Sequence, residues 1–279
     1  MYKIYLLILL ITISSFTKGQ ELLYYGEFGA FQSAAAISLN QAGFIFVADA
    51  GSNEIIKLDT LGNIKKTIGG FGWSASAFDN PCYVFANTLN VYVADKNNDR
   101  IQIFDKDLNY LSEISSRKFI NESIIFRYPT GVVVNSQGDL FILDSDNTRI
   151  LKFNLRGEFL TEIGSYQSGS YVLTNPKSFT VNLSNHLLVL DGNDLIVFNQ
   201  FGTLLNKIKL SSDFKKLNFS IDKVMLIGEH RVNFFTNYIK EPDKYSSNLP
   251  QEKIIDAVSL NKKLYLLTEK KIFVYQIVN

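Results

Sequence analysis

The sequence predicts an all-β fold, a six-bladed β-propeller closed by an N-terminal strand that completes the last blade. Three observations predict it. A pair of short strands recurs six times after residue 20. The copies are spaced nearly evenly, at the period expected of one propeller blade. The two ends of the chain each hold an incomplete part of one blade, and the parts are complementary.

The first strand of each pair is apolar throughout. It reads Phe44 to Asp49, Val91 to Asp95, Leu140 to Asp144 and Leu187 to Asp191, with degenerate copies at Val224 to Gly228 and Leu264 to Thr268. Such a strand fits between neighbouring blades, with both faces covered. The second strand of each pair begins at Glu54, Arg100, Arg149, Asp194, Arg231 and Lys271, giving steps of 46, 49, 45, 37 and 40 residues. It alternates more, through Lys57, Gln102 and Lys152, and is expected further out. β-branched and aromatic strands at this period are the mark of a propeller. Turn formers follow, and each cluster ends in a glycine suited to positive φ: Gly62, Gly157 and Gly202. This is the chemistry of a hairpin carrying a bulge. Ahead of each apolar strand lies an innermost strand, such as Gly131 to Asn135 or Ser178 to Asn182.

The last copy has an inner strand (Ile255 to Leu260), a second (Leu264 to Leu267) and a third (Ile272 to Ile277), and lacks a fourth. Leu22 to Gly29 is a strand with no blade of its own and resembles the fourth strands Ile64 to Gly69 and Glu158 to Gly164. It is expected to complete the last blade, which removes an exposed sheet edge.

Composition narrows the function classes. The 279 residues are 46% apolar with a formal net charge of +1, which excludes global disorder. Cys82 is the one cysteine, so no disulfide framework exists within the chain. Cys82 sits between Pro81 and Tyr83-Val84-Phe85 and is expected to be a buried, inert thiol. A near-zero charge does not suit a protein built to neutralise phosphates. His186 and His230 cannot supply a three-histidine metal site, and both read as incidental. The basic start Met1 to Lys3, the apolar run Ile4 to Phe16 and the small residues Thr17 and Gly19 have the order of a secretory signal peptide. Residues 1–19 are therefore expected to be a cleaved signal peptide and 20–279 a single propeller, secreted or periplasmic. Losing Lys3 and Lys18 would take the formal charge from +1 to −1. An uncleaved N-terminal anchor is the alternative, although thirteen apolar residues fall short of the roughly 20 that span a bilayer.

The string Tyr92-Val93-Ala94-Asp95-Lys96-Asn97-Asn98-Asp99-Arg100-Ile101-Gln102-Ile103-Phe104-Asp105, with Pro129-Thr130-Gly131-Val132-Val133-Val134, resembles the NHL repeat. That repeat sets a proline and glycine before the inner strand, then a strand ending Ala-Asp, then Asn-x-Arg-Ile and an aromatic. Asp144, Asn147, Arg149 and Ile150 match it in the third copy. The first copy has Glu54 where the arginine belongs, and the last three lose the Asn-x-Arg element. The resemblance covers residues 20–279 as architecture and is motif-specific over about 40–165. It implies a six-bladed propeller of a family that includes RNA-binding modules, extracellular sensor domains, a zinc-dependent amidating lyase and many secreted proteins. The lyase's metal-binding histidines have no set of equivalents here, and the RNA-binding members rely on a basic face.

Asp49, Asp95, Asp144 and Asp191 recur at the ends of the apolar strands. A carboxylate ring around a cation is one reading. The other, favoured because one ligand does not need the same residue in four blades, is structural: each accepts N–H bonds in a turn and pairs with Arg100, Arg149 or a neighbouring blade. The loops between blades are long and aromatic early in the chain. Trp73, Phe78, Arg127, Tyr128, Tyr166 and Tyr171 should raise one half of one face and form a ligand- or partner-binding surface. Against that stands the reading that these rings cover the blade tops as a satellite core. Tyr238 to Gln251 reads as an irregular link in the fifth blade, and Asn121, Asn182 and Asn218 stand in glycosylation sequons. The expected function is that of a binding module for a protein, peptide or glycan, with no catalytic residues, no cofactor, no metal and no nucleic-acid partner. The alternative is a metal-assisted lyase or hydrolase at the central channel, its metal held by carboxylates and backbone carbonyls.

Overall fold

A computed structural model describes residues 21–119, 124–169, 171–220, 223–235, 243–245 and 249–278. The expected signal peptide, and Asn121 with its sequon, lie outside the described residues. The described strands form six four-stranded antiparallel sheets, each a blade. The second blade serves as the pattern: inner strand Pro81–Ala86, second strand Asn90–Asp95, third strand Arg100–Asp105 and outer strand Tyr110–Ser115. The apolar second strands are buried along their length, as strands with a blade on either side must be. No helix among the described residues is long and apolar enough to cross a membrane.

The ring closes by strand pairing between the ends of the described chain. Glu21–Phe28 pairs antiparallel with Ile272–Val278, running from Glu21 opposite Val278 to Phe28 opposite Ile272, with a bulge at Tyr25. Leu22 is buried among Met225, Ile227, Leu266 and Phe273, and so joins the core between the fifth and sixth blades. Beyond this strand the Phe31 N–H donates to the Lys270 carbonyl and the Ala34 N–H to the Glu269 carbonyl, both at 2.9 Å. Those bonds carry the chain into its first blade, whose inner strand is Ala34–Leu39.

Two sequence expectations about the blades need amendment. Lys57, Gln102 and Lys152 do lie on the third strands, yet all three are buried. The Lys57 ammonium donates to the Lys106 carbonyl at 2.9 Å and pairs with Asp107 at 2.7 Å, both in the outer turn of the next blade. Lys152 repeats the device, donating to the Gln200 carbonyl of the fourth blade at 3.2 Å and pairing with Asp139 at 2.7 Å. Their stems lie along apolar rings, with Lys57 Nζ 4.2 Å from the Phe44 centroid and Lys152 Nζ 5.5 Å from that of Phe141. These polar residues are thus tethers between blades. The second amendment concerns Tyr238 to Gln251. Asp243–Tyr245 within it is the outer strand of the fifth blade, paired with Val232, Asn233 and Phe234. Its three residues carry no alternation, so nothing marked it as a strand.

Turn chemistry repeats around the ring. Gly62, Gly157 and Gly202 have φ of +91°, +76° and +84°, and each outer hairpin bulges on its outer strand, at Lys65, Leu160 and Leu205. The residue opening each of these turns orders it from its side chain: Asp59 accepts from the N–H of Leu61 and Asn63, and Asn199 from Phe201 and Thr203. Gly131 meets a different need. A Cβ there would lie 2.7 Å from the Phe179 ring of the fourth blade, so the repeat's glycine permits close packing of blades.

Side chains also staple inner strands together. The Ala86 N–H donates to Ser38 Oγ at 2.9 Å, the Leu217 N–H to Ser178 Oγ at 3.1 Å and the Ile37 N–H to Asp256 Oδ2 at 3.2 Å. Burial pushes the Asp256 carboxyl above its ordinary range, while the Lys216 charge and the Ile37 and Ala257 N–H groups pull it back.

Two outcomes follow for stability. Leu22→Ala should cost about 2–5 kcal/mol in equilibrium chemical denaturation, because it hollows the seam that closes the ring. For Asp256, the folded pKa lies above the unfolded one, so the carboxyl favours folding at low pH and progressively disfavours it as pH rises through the raised value. The melting-temperature difference between Asp256→Asn and the wild type should therefore move in favour of the variant as pH rises from about 4 to 7. A flat or opposite trend across matched pH scans would refute this account of Asp256.

Candidate functional site

The loops that follow the second strands and the loops between blades emerge on one face, held together by the recurring aspartates. Each aspartate reaches the segment entering its own blade, 16 or 17 residues earlier. Asp49 accepts from the Gln32 and Ser33 N–H groups at 2.7 Å, and Asp95 from the Asp79 N–H at 2.8 Å. Asp144 accepts from the Arg127 N–H at 3.0 Å, and Asp191 from the Asn175 N–H at 2.5 Å and the Thr174 N–H at 3.1 Å. The carboxylates face protein donors, one set per blade. Among the described residues no three His, Cys, Asp or Glu side chains gather as metal ligands.

Around Asp95 the network is densest. Arg100 pairs with Asp95 at 2.8 Å and with Glu113 at 3.0 Å. The rest of its guanidinium donates to three carbonyls of the preceding interblade loop: Trp73 at 2.8 Å, Ser74 at 3.1 Å and Ala77 at 2.8 Å. The Asn98 amide donates to the Gly72 carbonyl at 2.9 Å, and Gln102 receives the Ser76 N–H while donating to Ala77. Asp95 is fully buried. Burial pushes its carboxyl up, and the Asn98, Asp79 and Arg100 contacts pull it back down. A planar five-donor group suits this task, since it satisfies a carboxylate and several loop carbonyls at once.

The loop so held projects two rings. Phe71 and Trp73 are 65% and 63% exposed and meet edge to face with centroids 5.6 Å apart. In the next interblade loop, Arg149 pairs with Asp144 at 3.0 Å and Glu162 at 2.7 Å and donates to the Ile125 carbonyl at 2.9 Å. Arg127 is exposed there. Beside it Tyr128 is half-exposed at φ +49°, a left-handed conformation stabilised by its N–H donating to Asp99 Oδ1 at 2.8 Å.

The six residues expected on this face therefore divide. Trp73, Arg127, Tyr128 and Tyr166 are exposed, Tyr166 at 91%. Phe78 is not on the face: it is 0% exposed and packs against Phe104 at 6.1 Å, so the expectation for it is corrected. Tyr171 is half-buried. Its ring meets Phe198 edge to face and its hydroxyl donates to Asp191 at 3.3 Å, which ties it into the fourth blade. Phe71 belongs with Trp73 and escaped the sequence reading. It opened the loop that the reading had already singled out, and only its ring geometry distinguishes it from Phe78. Cys82 is half-buried with its thiol towards the Pro129 and Ala94 carbonyls, and desolvation pushes it up to about 11, against the pull of the Lys216 and Lys96 charges.

The NHL repeat family pattern matches residues 126–153, the inner, second and third strands of the third blade with the turn before them. Residues of this chain are 29% identical over 147 positions to the protein brain tumor of Drosophila melanogaster, a match that takes in 51% of this chain and 14% of that relative. The chain thus spans only a small part of the relative's length. Among solved structures, a streptogramin B lyase superposes with a TM-score of 0.65 at 14% identity, covering 92% of this chain and 98% of the other. The virginiamycin B lyase from Staphylococcus aureus gives 0.60 at 16% identity, covering 90% and 82%. The WD40 propeller domain of Doa1 gives 0.61 at 9% identity, covering 87% and 78%. At such identities the likeness is one of fold.

Arg100→Lys should leave Asp95 less well paired and free the loop carbonyls. We expect a loss of about 1–3 kcal/mol of stability in chemical denaturation, the scale of leaving loop carbonyls unsatisfied while a charge beside Asp95 is kept. Trp73 is the one tryptophan, so it reports on the loop directly. Its fluorescence anisotropy should decay with overall tumbling in the wild type and gain a fast local component in Arg100→Lys. An unchanged decay would show that the clamp does not order the loop.

Proposed function

We propose that this NHL-repeat six-bladed β-propeller is a protein-binding module whose partner docks on the face of the interblade loops. The observation that carries the reading is the Phe71–Trp73 pair. Two large rings stand in solvent on a loop whose carbonyls are fixed by Arg100, Asn98 and Gln102. Exposed aromatics ordinarily cost solubility and are mobile. Rings that are both exposed and preorganised can give up water to a partner without paying again for ordering. Arg127, Tyr128 and Tyr166 extend the same surface, with Tyr128 held by Asp99. Phe78 and Tyr171 support it from beneath. A peptide or glycan segment of a larger partner would meet the same rings.

An extracytoplasmic setting is part of the proposal, and residues 1–19 motivate it. A fold without a disulfide suits that setting because ring closure does the work of a covalent staple. The family match is compatible with protein binding, and the exposed rings, not the fold, carry the reading, since function belongs to sites on a fold.

Phe71→Ala and Trp73→Ala should each weaken partner capture by at least about tenfold, the scale of an aromatic hot spot. Phe201→Ala, an equally exposed ring on the opposite face, should leave it unchanged. Capture would be measured from native medium or envelope extract on immobilised protein, with melting curves to establish that each variant is folded. Wild-type Trp73 emission should shift to the blue as the partner covers it. Capture that ignores both loop variants would end this reading.

A further inference from the structure

On the face opposite the aspartate-held loops the central channel opens into a funnel of about 620 Å³. Its walls take one apolar residue from each inner strand: Leu39, Phe85, Val134, Val181, Phe219 and Leu260. The volume is that of a small-molecule site, and so is the character of the walls. Tyr83 forms part of the lining, and the Lys216 ammonium lies 5.0 Å from its ring centroid without itself lining the funnel. No charged side chain lines it among the described residues.

The rim repeats as the blades do. Asn40, Asn87, Asn135 and Asn182 stand at the ends of four inner strands. Each uses its carboxamide oxygen to order its own turn: Asn40 accepts from Phe44 N–H, Asn87 from Asn90, Asn135 from Asp139 and Asn182 from His186, at 2.8–2.9 Å. That fixes each side chain's orientation. Asn135 then satisfies its amide group on Asp139 at 3.2 Å. Asn40 does not. The residue is 1% exposed and its Nδ2 has no hydrogen-bond partner. A buried donor in this condition retains its full desolvation penalty until an acceptor reaches it. Above the walls, Leu89 in the rim turn of the second blade and Leu183 in that of the fourth are largely exposed.

We propose that this funnel is a second binding site, taking an uncharged amphiphile with an apolar body and a carbonyl- or hydroxyl-type acceptor. The six apolar walls reward the body, and Asn40 Nδ2 lacks an acceptor. A charged group in the funnel would be desolvated with no counter-charge among the lining residues, which discriminates against ions. The site is separate from the aromatic loops, since the inner strands run the depth of the ring between the two faces.

The test uses two naphthalene probes on the whole folded protein. The neutral ketone 6-propionyl-2-(dimethylamino)naphthalene has an apolar body and one carbonyl acceptor. The anionic 1-anilinonaphthalene-8-sulfonate has a similar body and a charge. The ketone should bind saturably with a blue shift, and the sulfonate at least about tenfold more weakly. Leu89→Asp with Leu183→Asp changes only exposed rim positions, so folding is preserved, and it should weaken the ketone by about tenfold. Phe71→Ala should leave the ketone unaffected, which separates this site from the loop face. The proposal is overturned if the ketone does not saturate, if the sulfonate binds as well, if the rim variant binds like the wild type, or if Phe71→Ala abolishes binding.

Discussion

Everything in this molecule depends on one antiparallel pairing, that of Glu21–Phe28 with Ile272–Val278. A propeller is a curved row of blades, and each blade is covered only where it has a neighbour on both sides. An open row would leave the apolar strands Phe44–Asp49 and Lys263–Leu267 each lacking a cover on one face. The terminal strand solves this at the outer edge of the sixth blade, and the bonds from Phe31 and Ala34 to Lys270 and Glu269 carry the closure inward. The Ile37 bond to Asp256 completes it at the channel wall. Joining ends some 250 residues apart costs entropy, but that cost grows only logarithmically with length. Leu22, Val274 and Tyr275 return more through the apolar surface they bury.

A closed ring gives each loop a fixed base, and the aspartates transmit that rigidity to the loop face. The carboxylate at the end of a second strand captures N–H groups at the start of the same blade, so it ties a blade's entrance to its middle. Where the repeat also supplies an arginine, the clamp extends into the preceding loop. Glu54 takes this place in the first blade, and no loop is gripped by a guanidinium there. Gly228 and Thr268 replace the aspartate in the last two blades, where the turn to the third strand is shorter. In the second and third blades carboxylate and guanidinium together satisfy loop carbonyls that would otherwise need water.

How much of this was legible before the structure depended on whether a residue's role was set locally. The six blades, the closing strand and the glycines of the outer turns follow from alternation, spacing and turn chemistry, all of which act over a few residues. Lys57 and Lys152 did not yield to that logic. A lysine in an alternating strand reads as exposed, and its burial depends on an acceptor some 48 or 49 residues away in another blade. Phe71 and Phe78 make the same point within one loop. Both are phenylalanines flanking the same turn, and the paired backbone bonds between them point one outward and the other under Phe104. Asp243–Tyr245 was invisible because an outer strand this short is recruited by its partner's backbone and not by its own side chains. The rim asparagines were each readable as a turn former, but their convergence on one opening is a property of the ring.

The two ends of the channel divide polar chemistry unequally, and the repeat itself is the reason. The first four blades each send an aspartate to one face, and Asn40, Asn87, Asn135 and Asn182 of the same blades order turns on the other. On the first face the carboxylates take backbone N–H groups and arginine as partners, so their hydrogen-bonding capacity is used in holding loops. On the second, the inner turns at Asn87, Asn135 and Asn182 are ordered by neutral carboxamides, which leaves the mouth between them without a net field. A surface whose charges are spent on its own loops favours partners that bring shape and aromatic contact. A mouth without charge favours ligands that bring none. The same local rule, one polar residue at each strand end of the first four blades, therefore gives the two faces of a single closed ring different polar chemistry.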